Sequence, residues 1–289
     1  MYQKLSDYAV LSNGVKVPCI GYGTWETPDG ETAKTCIQTA AKLGYRHFDT
    51  AAVYGNESGV GEGIRASEIK REELFVATKH WITERGYKKT IKACDKSLKR
   101  LGFDYLDLYL IHWPAVEKTF SNWEEINADT WRGFEKLYAD GKIKAIGVSN
   151  FLPKHIESLK KNCKVAPMVN QIEFHPGYSQ METVEYCQKN GILIEAWSPL
   201  GKGAVLKDPV LAAIAQKYGK SIAQLCIRYA LQCGVVPVPK SMNEGRMLSN
   251  TQVFDFAISD EDMKRLQSLP QLGYSGFYPE DAPAETYYD

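Results

Sequence analysis

The sequence lacks several features that would assign it to particular classes of protein. Lysine plus arginine and aspartate plus glutamate each number 35, so the net formal charge is zero and nothing favours nucleic acid or an anionic membrane as a partner. No run of about 18 apolar residues occurs, so we expect no membrane-spanning helix. Residues 1–14 contain no apolar core region, and we expect no signal peptide there.

The seven cysteines also form no pattern that binds metal or builds disulfides. They are odd in number and widely spaced, and no C-x-x-C occurs among them. We therefore expect neither a metal site nor a disulfide framework. A reducing, cytoplasmic compartment fits this usage of cysteine best.

What the chain does contain is an alternation of short β-rich runs with segments of helical period. Eight such runs occur, at residues 19–22, 45–48, 74–78, 105–111, 145–148, 168–171, 193–196 and 235–238. This number predicts an α/β fold, a closed (β/α)8 TIM barrel formed by one domain over residues 1–289. A doubly wound open sheet is the alternative.

Smaller features complete the predicted fold. The turn at Asn13-Gly14 predicts an N-terminal β-hairpin, and residues 221–231 and 259–269 predict two extra helices capped by serine. A shorter helix is expected over residues 130–138, after an irregular segment at 113–127. The tail from residue 270 also looks irregular, and the prolines of VVPVP (235–239) are unusual for an interior strand.

Polar residues follow most of the predicted strands, and in a barrel the chemistry lies at the C-terminal strand ends. These residues are Asp49, Lys79, His112, Ser149 with Asn150, Gln171 with Glu173, Trp197 with Ser198, and Lys240 with Ser241. Each has a structural explanation when taken singly, because a strand-ending Asp commonly caps a helix and a Lys is commonly a solvated charge. Their occurrence together at one mouth favours a catalytic site.

The stretch FDTAAVYGNE (48–57) adds a phenol, Tyr54, shortly after Asp49. A tyrosine has an unperturbed pKa of about 10 and is a poor proton donor near neutrality, but a nearby ammonium stabilises the phenolate. Lys79 could supply that ammonium, held in place by Asp49, and His112 could hydrogen-bond a substrate carbonyl. Such a set would protonate an oxygen that gains electron density, which points to hydride addition from a nicotinamide or flavin.

Two stretches are candidates for binding phosphate. GVGEG (59–63) has the wrong glycine spacing for the dinucleotide fingerprint, which argues against a Rossmann dehydrogenase. PKSMNEGR (239–246) presents Lys240, Ser241 and Arg246 ahead of a short helix. Two cations and a hydroxyl there suit a phosphate, and an ordinary basic loop is the alternative.

Taken together, these motifs resemble those of the aldo-keto reductases, and the bacterial diketogluconate-reductase-like members look most similar. The matching stretches are in family order: GTW (23–25), FDTAAVYGNE (48–57), TKHW (78–81), DYLDLYLIHWP (104–114), IGVSNF (146–151), NQIEFHP (170–176), AWSPLGKG (196–203) and PKSMNEGR (239–246). The resemblance implies a barrel that reduces aldehydes or ketones with NADP(H) bound in extended form. It implies a tetrad of Asp49, Tyr54, Lys79 and His112, with Tyr54 as general acid.

The resemblance also implies which residues bind cofactor and substrate. From nicotinamide to adenine, the expected cofactor contacts are Thr24, Ser149, Asn150, Gln171, Trp197, Ser198, Leu200, Gly203, Lys240, Ser241, Asn243, Arg246 and Asn250. Trp197 would stack on the nicotinamide, and the Lys240–Arg246 group would surround the 2′-phosphate. The expected walls of an apolar substrate pocket are Trp25, Trp81 and Trp113.

Two features depart from the family pattern. Ser249 stands where many members have Glu just before the adenine-contacting Asn, so we expect weaker adenine binding. The acidic, aromatic tail after Pro270 differs from that of diketogluconate-reductase-like members. Because this segment helps to set specificity in the family, the tail is where the substrate would be decided.

Two other functions compete with carbonyl reduction. A Schiff-base aldolase could use Lys79, but it leaves the tetrad partners and the phosphate motif unexplained. A non-catalytic NADP(H)-binding regulatory barrel, like the channel-associated members of the superfamily, is the other alternative.

We expect a small carbonyl substrate, no nucleic-acid or membrane partner, and a monomer, with a dimer as the alternative state.

Overall fold

The structure is a computed structural model that describes residues 2–281. A hairpin of β1 (Tyr8–Val10) and β2 (Lys16–Pro18) comes first. The barrel strands are β3 (Tyr22–Gly23), β4 (His47–Asp49), β5 (Phe75–His80), β6 (Leu108–Ile111), β7 (Ile146–Ser149), β8 (Val169–Glu173), β9 (Leu193–Trp197) and β10 (Val235–Pro237). The helices are α1 (Glu31–Lys42), α2 (Glu57–Arg65), α3 (Tyr87–Leu101), α4 (Trp123–Ala139), α5 (Pro153–Lys160), α6 (Met181–Lys189), α7 (Pro209–Lys217), α8 (Ile222–Gln232), α9 (Glu244–Thr251) and α10 (Asp260–Gln267).

Strands β3 to β10 form one parallel sheet in which neighbours in the chain are neighbours in space. The sheet closes because Gly21 N donates to Pro237 O at 2.9 Å and Gly23 N donates to Pro239 O at 3.0 Å. The predicted (β/α)8 barrel is therefore confirmed over the open sheet. Pro237 and Pro239 are tolerated where the end of the sheet meets β3, because only their carbonyl groups are needed for these hydrogen bonds. Val238, between them, donates its N–H to Ala196 O of β9 at 3.0 Å.

The predicted hairpin and both predicted extra helices are present. Ser221 Oγ accepts from Gln224 N at 3.2 Å at the start of α8, and Gln224 Oε1 accepts from Ser221 N at 3.0 Å in return. Ser259 Oγ accepts from Asp262 N at 3.2 Å and caps α10. These serines satisfy backbone N–H groups that have no partner within the helix, so they fix where each helix begins.

Helix α4 begins at Trp123, so the prediction that residues 113–127 are irregular is wrong for 123–127. Its first turns carry the exposed acids Glu124 and Glu125 and the buried Asn127. These polar residues interrupt the helical spacing of apolar residues by which the helix could have been recognised. The Asn127 side chain is committed to the preceding loop, accepting from Ala115 N at 2.8 Å and donating to Ala115 O at 2.9 Å. A buried amide thus takes a position where the pattern requires an apolar residue.

Helix α2 was not predicted, because its glycines resemble a loop. A Cβ on Gly61 would lie 2.0 Å from Leu101 O at the end of α3, and a Cβ on Gly63 would lie 2.7 Å from Ile37 Cβ in α1. The glycines of GVGEG therefore allow α2 to pack closely against its neighbours.

The C-terminal tail contains little regular secondary structure. Residues 271–281 are irregular except for a 3₁₀ turn at Pro279–Asp281, and residues 282–289 lie outside the described part of the chain. No helix within residues 2–281 is long and apolar enough to cross a membrane.

Candidate active site

A cavity of about 1130 Å³ lies at the C-terminal ends of the barrel strands. Asp49 ends β4, Tyr54 ends the short 3₁₀ turn that follows it, and His112 follows β6. All three line the cavity. Lys79, on β5, lies beneath its surface and is 1% exposed. The barrel thus brings together the four residues of the predicted tetrad.

Lys79 and Asp49 form a buried ion pair on adjacent strands. Lys79 Nζ lies 2.5 Å from Asp49 Oδ1 and also donates to Thr50 O at 2.9 Å. Asp49 is in register with Ala77, and Lys79 shares the face of Ala77 because side chains on a strand alternate. A buried pair of this kind needs further hydrogen bonds to be tolerated. The Thr50 carbonyl supplies one, and Gln171 supplies another to Asp49.

Tyr54 lies close to both the Lys79 ammonium and the His112 imidazole. Lys79 Nζ is 5.2 Å from the Tyr54 ring centroid, and the Tyr54 and His112 ring centroids are 5.7 Å apart, edge to face. Burial, with the nearby charge of Lys79 and the imidazole of His80, holds the pKa of His112 well below its usual range. His112 is therefore neutral at pH 7, with one N–H donor and one acceptor nitrogen.

A second carboxyl lies below the tetrad. Gln171 Nε2 donates to Asp49 Oδ2 at 3.0 Å and to Glu195 Oε2 at 2.9 Å. Both N–H bonds of this amide are thus used beneath the cavity, and its carbonyl oxygen is the atom left for a ligand. Burial, with the charge of Asp49, raises the pKa of Glu195 to about 8. His47 Nε2 lies 3.7 Å from Glu195 Oε1, and burial lowers the pKa of His47 to about 4, so both are neutral at pH 7.

Asn150 links the imidazole side of the cavity to Trp197. Its Nδ2 donates to His112 O at 2.9 Å, and its Oδ1 accepts from Trp197 Nε1 at 2.8 Å. Asn150 has φ 63°, a left-handed conformation that asparagine adopts more readily than most residues. The indole of Trp197 is thereby fixed at the cavity wall.

The far end of the cavity is formed by residues 240–250. Asn243 Oδ1 accepts from Arg246 N at 3.0 Å and caps α9, and Lys240 Nζ donates to Glu26 O at 3.2 Å. Neither Lys240 nor Arg246 has a carboxylate within ion-pair distance in the described chain. Arg246 lies in the first turn of α9 and Lys240 lies in the loop before it, and two such cations at one end of a cavity favour an anionic ligand.

Most predicted cofactor and substrate residues line this cavity: Thr24, Trp25, Trp113, Asn150, Gln171, Trp197, Ser198, Leu200, Gly203, Lys240, Ser241, Asn243, Arg246 and Asn250. Ser149 and Trp81 do not. Ser149 Oγ donates to Gln171 O at 2.8 Å, and the Trp81 ring packs behind His112 with centroids 5.2 Å apart.

Other residues, which the sequence motifs did not assign, also shape the site. Among those lining the cavity are Glu26, Lys202, Leu206, Met242 and Phe277. Lys202 stood inside AWSPLGKG between two assigned residues, so the motif itself contained the signal. An acid in the middle of an apolar strand could likewise have indicated Glu195. The aromatic tail was expected to help set the substrate, but nothing in the sequence singled out Phe277 among its aromatic residues.

Comparison with known proteins identifies what this barrel is similar to. The model of the Aldo/keto reductase family matches residues 19–271. A glyoxal reductase of Bacillus subtilis (strain 168) is 49% identical over 269 residues, covering 93% of this chain and 95% of that protein. A 9,11-endoperoxide prostaglandin H2 reductase of Trypanosoma cruzi (strain CL Brener) is 47% identical and covers 90% of each.

Solved structures agree with the family match. An aldo-keto reductase from a Medee basin deep-sea metagenome library has a TM-score of 0.88 at 42% identity, covering 95% of this chain and 99% of that one. A Bombyx mori aldo-keto reductase in complex with NADP has a TM-score of 0.83 at 35% identity, covering 92% and 93%. Since sequence and structure match over nearly the whole barrel, the chain belongs to the aldo/keto reductase family.

Proposed function

We propose that this chain is an NADPH-dependent reductase that converts aldehydes or ketones to alcohols, with Tyr54 as the proton donor. The observation that carries the proposal is the placement of Tyr54 beside the buried Lys79–Asp49 pair in a cavity whose far end holds Lys240 and Arg246. One end can donate a proton and the other can hold a phosphate. The names of the relatives, a glyoxal reductase among them, support the same class of reaction.

The residues present fit NADP(H). Lys240 and Arg246, which have no carboxylate partner in residues 2–281, would hold the 2′-phosphate. Asn250 would contact the adenine, and Trp197 would stack on the nicotinamide. Asn150 and the free carbonyl oxygen of Gln171 would orient the nicotinamide amide. NADP bound to the Bombyx mori relative supports this assignment. When bound, NADPH supplies the hydride that adds to the carbonyl carbon.

The tetrad residues would handle the proton. Neutral His112 would donate a hydrogen bond to the carbonyl oxygen and hold it within reach of Tyr54. Tyr54 would give its phenolic proton to that oxygen as the hydride adds, so that the alcohol forms. The Lys79 ammonium would stabilise the resulting phenolate, and Asp49 would keep that ammonium in place.

The aldolase alternative fits the geometry poorly. A Schiff base requires a neutral amine that a carbonyl can reach, whereas Lys79 is buried and ion-paired with Asp49. A non-catalytic barrel would bind NADPH without reducing any carbonyl. The single domain, the monomeric state and the cytoplasmic location stay predictions.

The test measures NADPH oxidation with a panel of aldehydes and ketones, including glyoxal, for the wild type and Tyr54→Phe. We expect wild-type turnover, and a loss of roughly 10²–10⁴-fold in kcat for the variant. NADPH binding, followed by fluorescence, should be unchanged because the ring remains. Near-normal turnover in Tyr54→Phe would remove the proton-donor role. Tight NADPH binding without turnover of any carbonyl would favour the non-catalytic barrel.

A further inference from the structure

Lys202 occupies an unusual position in the loop after β9. Its φ is 51°, and it is flanked by Gly201 with φ 50° and Gly203 with φ 89°. The left-handed conformation is uncommon for a residue with a side chain and is energetically unfavourable. Glycine would avoid that cost, so the lysine side chain itself is the feature that requires an explanation.

The Lys202 ammonium lies against two aromatic rings at the cavity mouth. Its Nζ is 4.0 Å from the ring centroid of Trp25 and 4.8 Å from that of Phe277. The Phe277 ring in turn packs edge to face on Trp113, with centroids 6.3 Å apart. Trp113 belongs to the apolar cluster that also contains Trp81. The cation therefore lies at the apolar end of the cavity that holds Tyr54.

Among residues 2–281, the Lys202 ammonium has no direct ion-pair partner. No carboxylate in residues 2–281 lies within ion-pair distance of its ammonium. Burial lowers the pKa of Lys202, and the more distant charges of Glu26 and Glu173 oppose that effect. Glu173 is already committed, since its two oxygens accept from Ser275 N at 2.9 Å and from Ser275 Oγ at 2.7 Å.

That same Glu173–Ser275 contact fixes the tail segment that carries Phe277. Ser275 Oγ also accepts from Phe277 N at 3.2 Å, so the ring is held two residues beyond an anchor on β8. The tail thus supplies one side of a fixed aromatic frame around Lys202, and Trp25 supplies another. A fixed frame keeps the ammonium at the mouth and lowers the entropy cost of ordering it when a ligand binds.

We propose that Lys202, Trp25 and Phe277 form a subsite for the anionic group of the substrate. The preferred substrates would then be aldehydes or ketones that carry a carboxylate, separated from the carbonyl by an apolar spacer. The ammonium would pair with the carboxylate, and the two rings would contact the spacer. This inference rests on the proposed carbonyl reduction and names the substrate class of that site. The pyrophosphate of the cofactor is another anion that Lys202 could meet, and the experiment separates the two.

The test compares 4-carboxybenzaldehyde with its methyl ester, methyl 4-formylbenzoate, which differs mainly in lacking the charge. The ratio of kcat/KM for the acid to that for the ester is measured in the wild type, Lys202→Met and Lys202→Arg. We expect Lys202→Met to lower the ratio about tenfold, the value of one charge-assisted hydrogen bond, and Lys202→Arg to retain it. The ester carries no anionic group, so Lys202→Met should lower its kcat/KM much less than that of the acid. Added salt should lower the ratio only where the cation is present.

Lys207→Met is the matched control, because Lys207 is an exposed lysine of the same loop that does not line the cavity. Its ratio should equal that of the wild type. An unchanged ratio in Lys202→Met would overturn the proposal. Equal losses for acid and ester with weaker NADPH binding would also overturn it and assign Lys202 to the cofactor. If the wild type reduced neither compound nor any other carbonyl, the proposed function itself would fail instead.

Discussion

The two ends of the cavity handle charge in opposite ways. At the tetrad, Lys79 and Asp49 are buried and paired at 2.5 Å, with every charge held by a neighbour. At the far end, Lys240 and Arg246 have no carboxylate partner within the described chain. At the buried end the protein itself compensates the charges of Lys79 and Asp49. At the exposed end an anionic ligand would compensate the charges of Lys240 and Arg246.

The charged residues at the two ends of the cavity are therefore under different physical constraints. Burying an ion is expensive, so the tetrad charges must be compensated by the fold itself, and removing one partner leaves the other unpaired. An exposed cation is screened by water and contributes little to folding, so it can be kept for binding. Changes at the buried end should therefore affect stability and catalysis together, and changes at the exposed end should affect binding alone.

The largest effect is expected for Lys79→Met. The variant leaves Asp49 buried without its cation, so we expect a loss of about 3–5 kcal/mol of unfolding free energy and a fall in kcat of roughly 10²–10⁴-fold. Urea unfolding and NADPH oxidation measure the two effects. As a control, Lys96→Met removes an exposed partner of Glu84, 3.4 Å away, and should change stability much less.

The double variant Asp49→Asn/Lys79→Met separates those two effects. Removing both charges eliminates the unpaired carboxylate, so stability should recover in part while activity stays low. If Lys79→Met alone were as stable as the wild type, the contrast between the two ends would be wrong. Recovery of activity in the double variant would contradict the role of the ammonium.

The next effect is expected for Lys240→Ala/Arg246→Ala at the exposed end. We expect NADPH binding to weaken roughly 10–100-fold, because two charge-assisted contacts to the 2′-phosphate are lost. NADH, which lacks that phosphate, should change little, and so should the melting temperature. Fluorescence titration with both cofactors measures the effect. Equal losses for NADPH and NADH would remove the phosphate assignment.

Much of this arrangement could be predicted from the sequence because strand ends in a barrel converge. The strands before Asp49, Lys79 and His112 were recognisable from their apolar runs, and the fold then places those residues at one mouth. Local pattern and fold class together were therefore enough to bring these three residues together. The caps at Ser221 and Ser259 were predictable for a similar reason, since a cap depends on residues within one turn.

The features that were missed depend on contacts between distant residues. Helix α2 was hidden because its glycines are required by the approach of α3 at Leu101 O, which the local pattern cannot show. The position of Lys202 depends on Phe277, many residues later in an irregular tail. The neutral state of Glu195 depends on its burial and on the charge of Asp49, which is distant in the sequence. Each of these three features is determined by packing between residues that are distant in the chain. Such packing leaves no periodic pattern in the local sequence.

Glu195 shows whether the buried end of the cavity excludes a further charge. Because the pKa of Glu195 rises from 4.5 to about 8, the folded protein keeps a proton that the unfolded chain releases between those values. Stability contributed by this group therefore falls as pH rises through the window. The buried His47, with its pKa lowered to about 4, acts in the opposite sense up to pH 6.5, so Glu195 is clearest above that.

Glu195→Gln removes the titration while keeping the acceptor for Gln171. Between pH 6.5 and 8 its stability relative to the wild type should rise by up to about 1.4 kcal/mol per pH unit. Urea unfolding at several pH values in that range measures the difference. Parallel pH profiles for the two proteins would mean that Glu195 is ionised in the folded state, and that the buried end tolerates a third charge.

The smallest effect is expected for Ser249→Glu, which adds a charge to the exposed end. Ser249 lines the cavity beside Asn250 on α9, where a carboxylate would accept a hydrogen bond from the adenine amino group. One such bond is worth about 0.5–1.5 kcal/mol, or roughly a two- to tenfold gain in affinity. NADH should gain as much as NADPH, because both contain adenine, and the melting temperature should not change. A loss of NADPH affinity with a gain for NADH would instead mean that the new carboxylate repels the 2′-phosphate. In either case the response should be confined to binding, and a change in kcat or in unfolding free energy would break the distinction between an end built for folding and an end built for ligand.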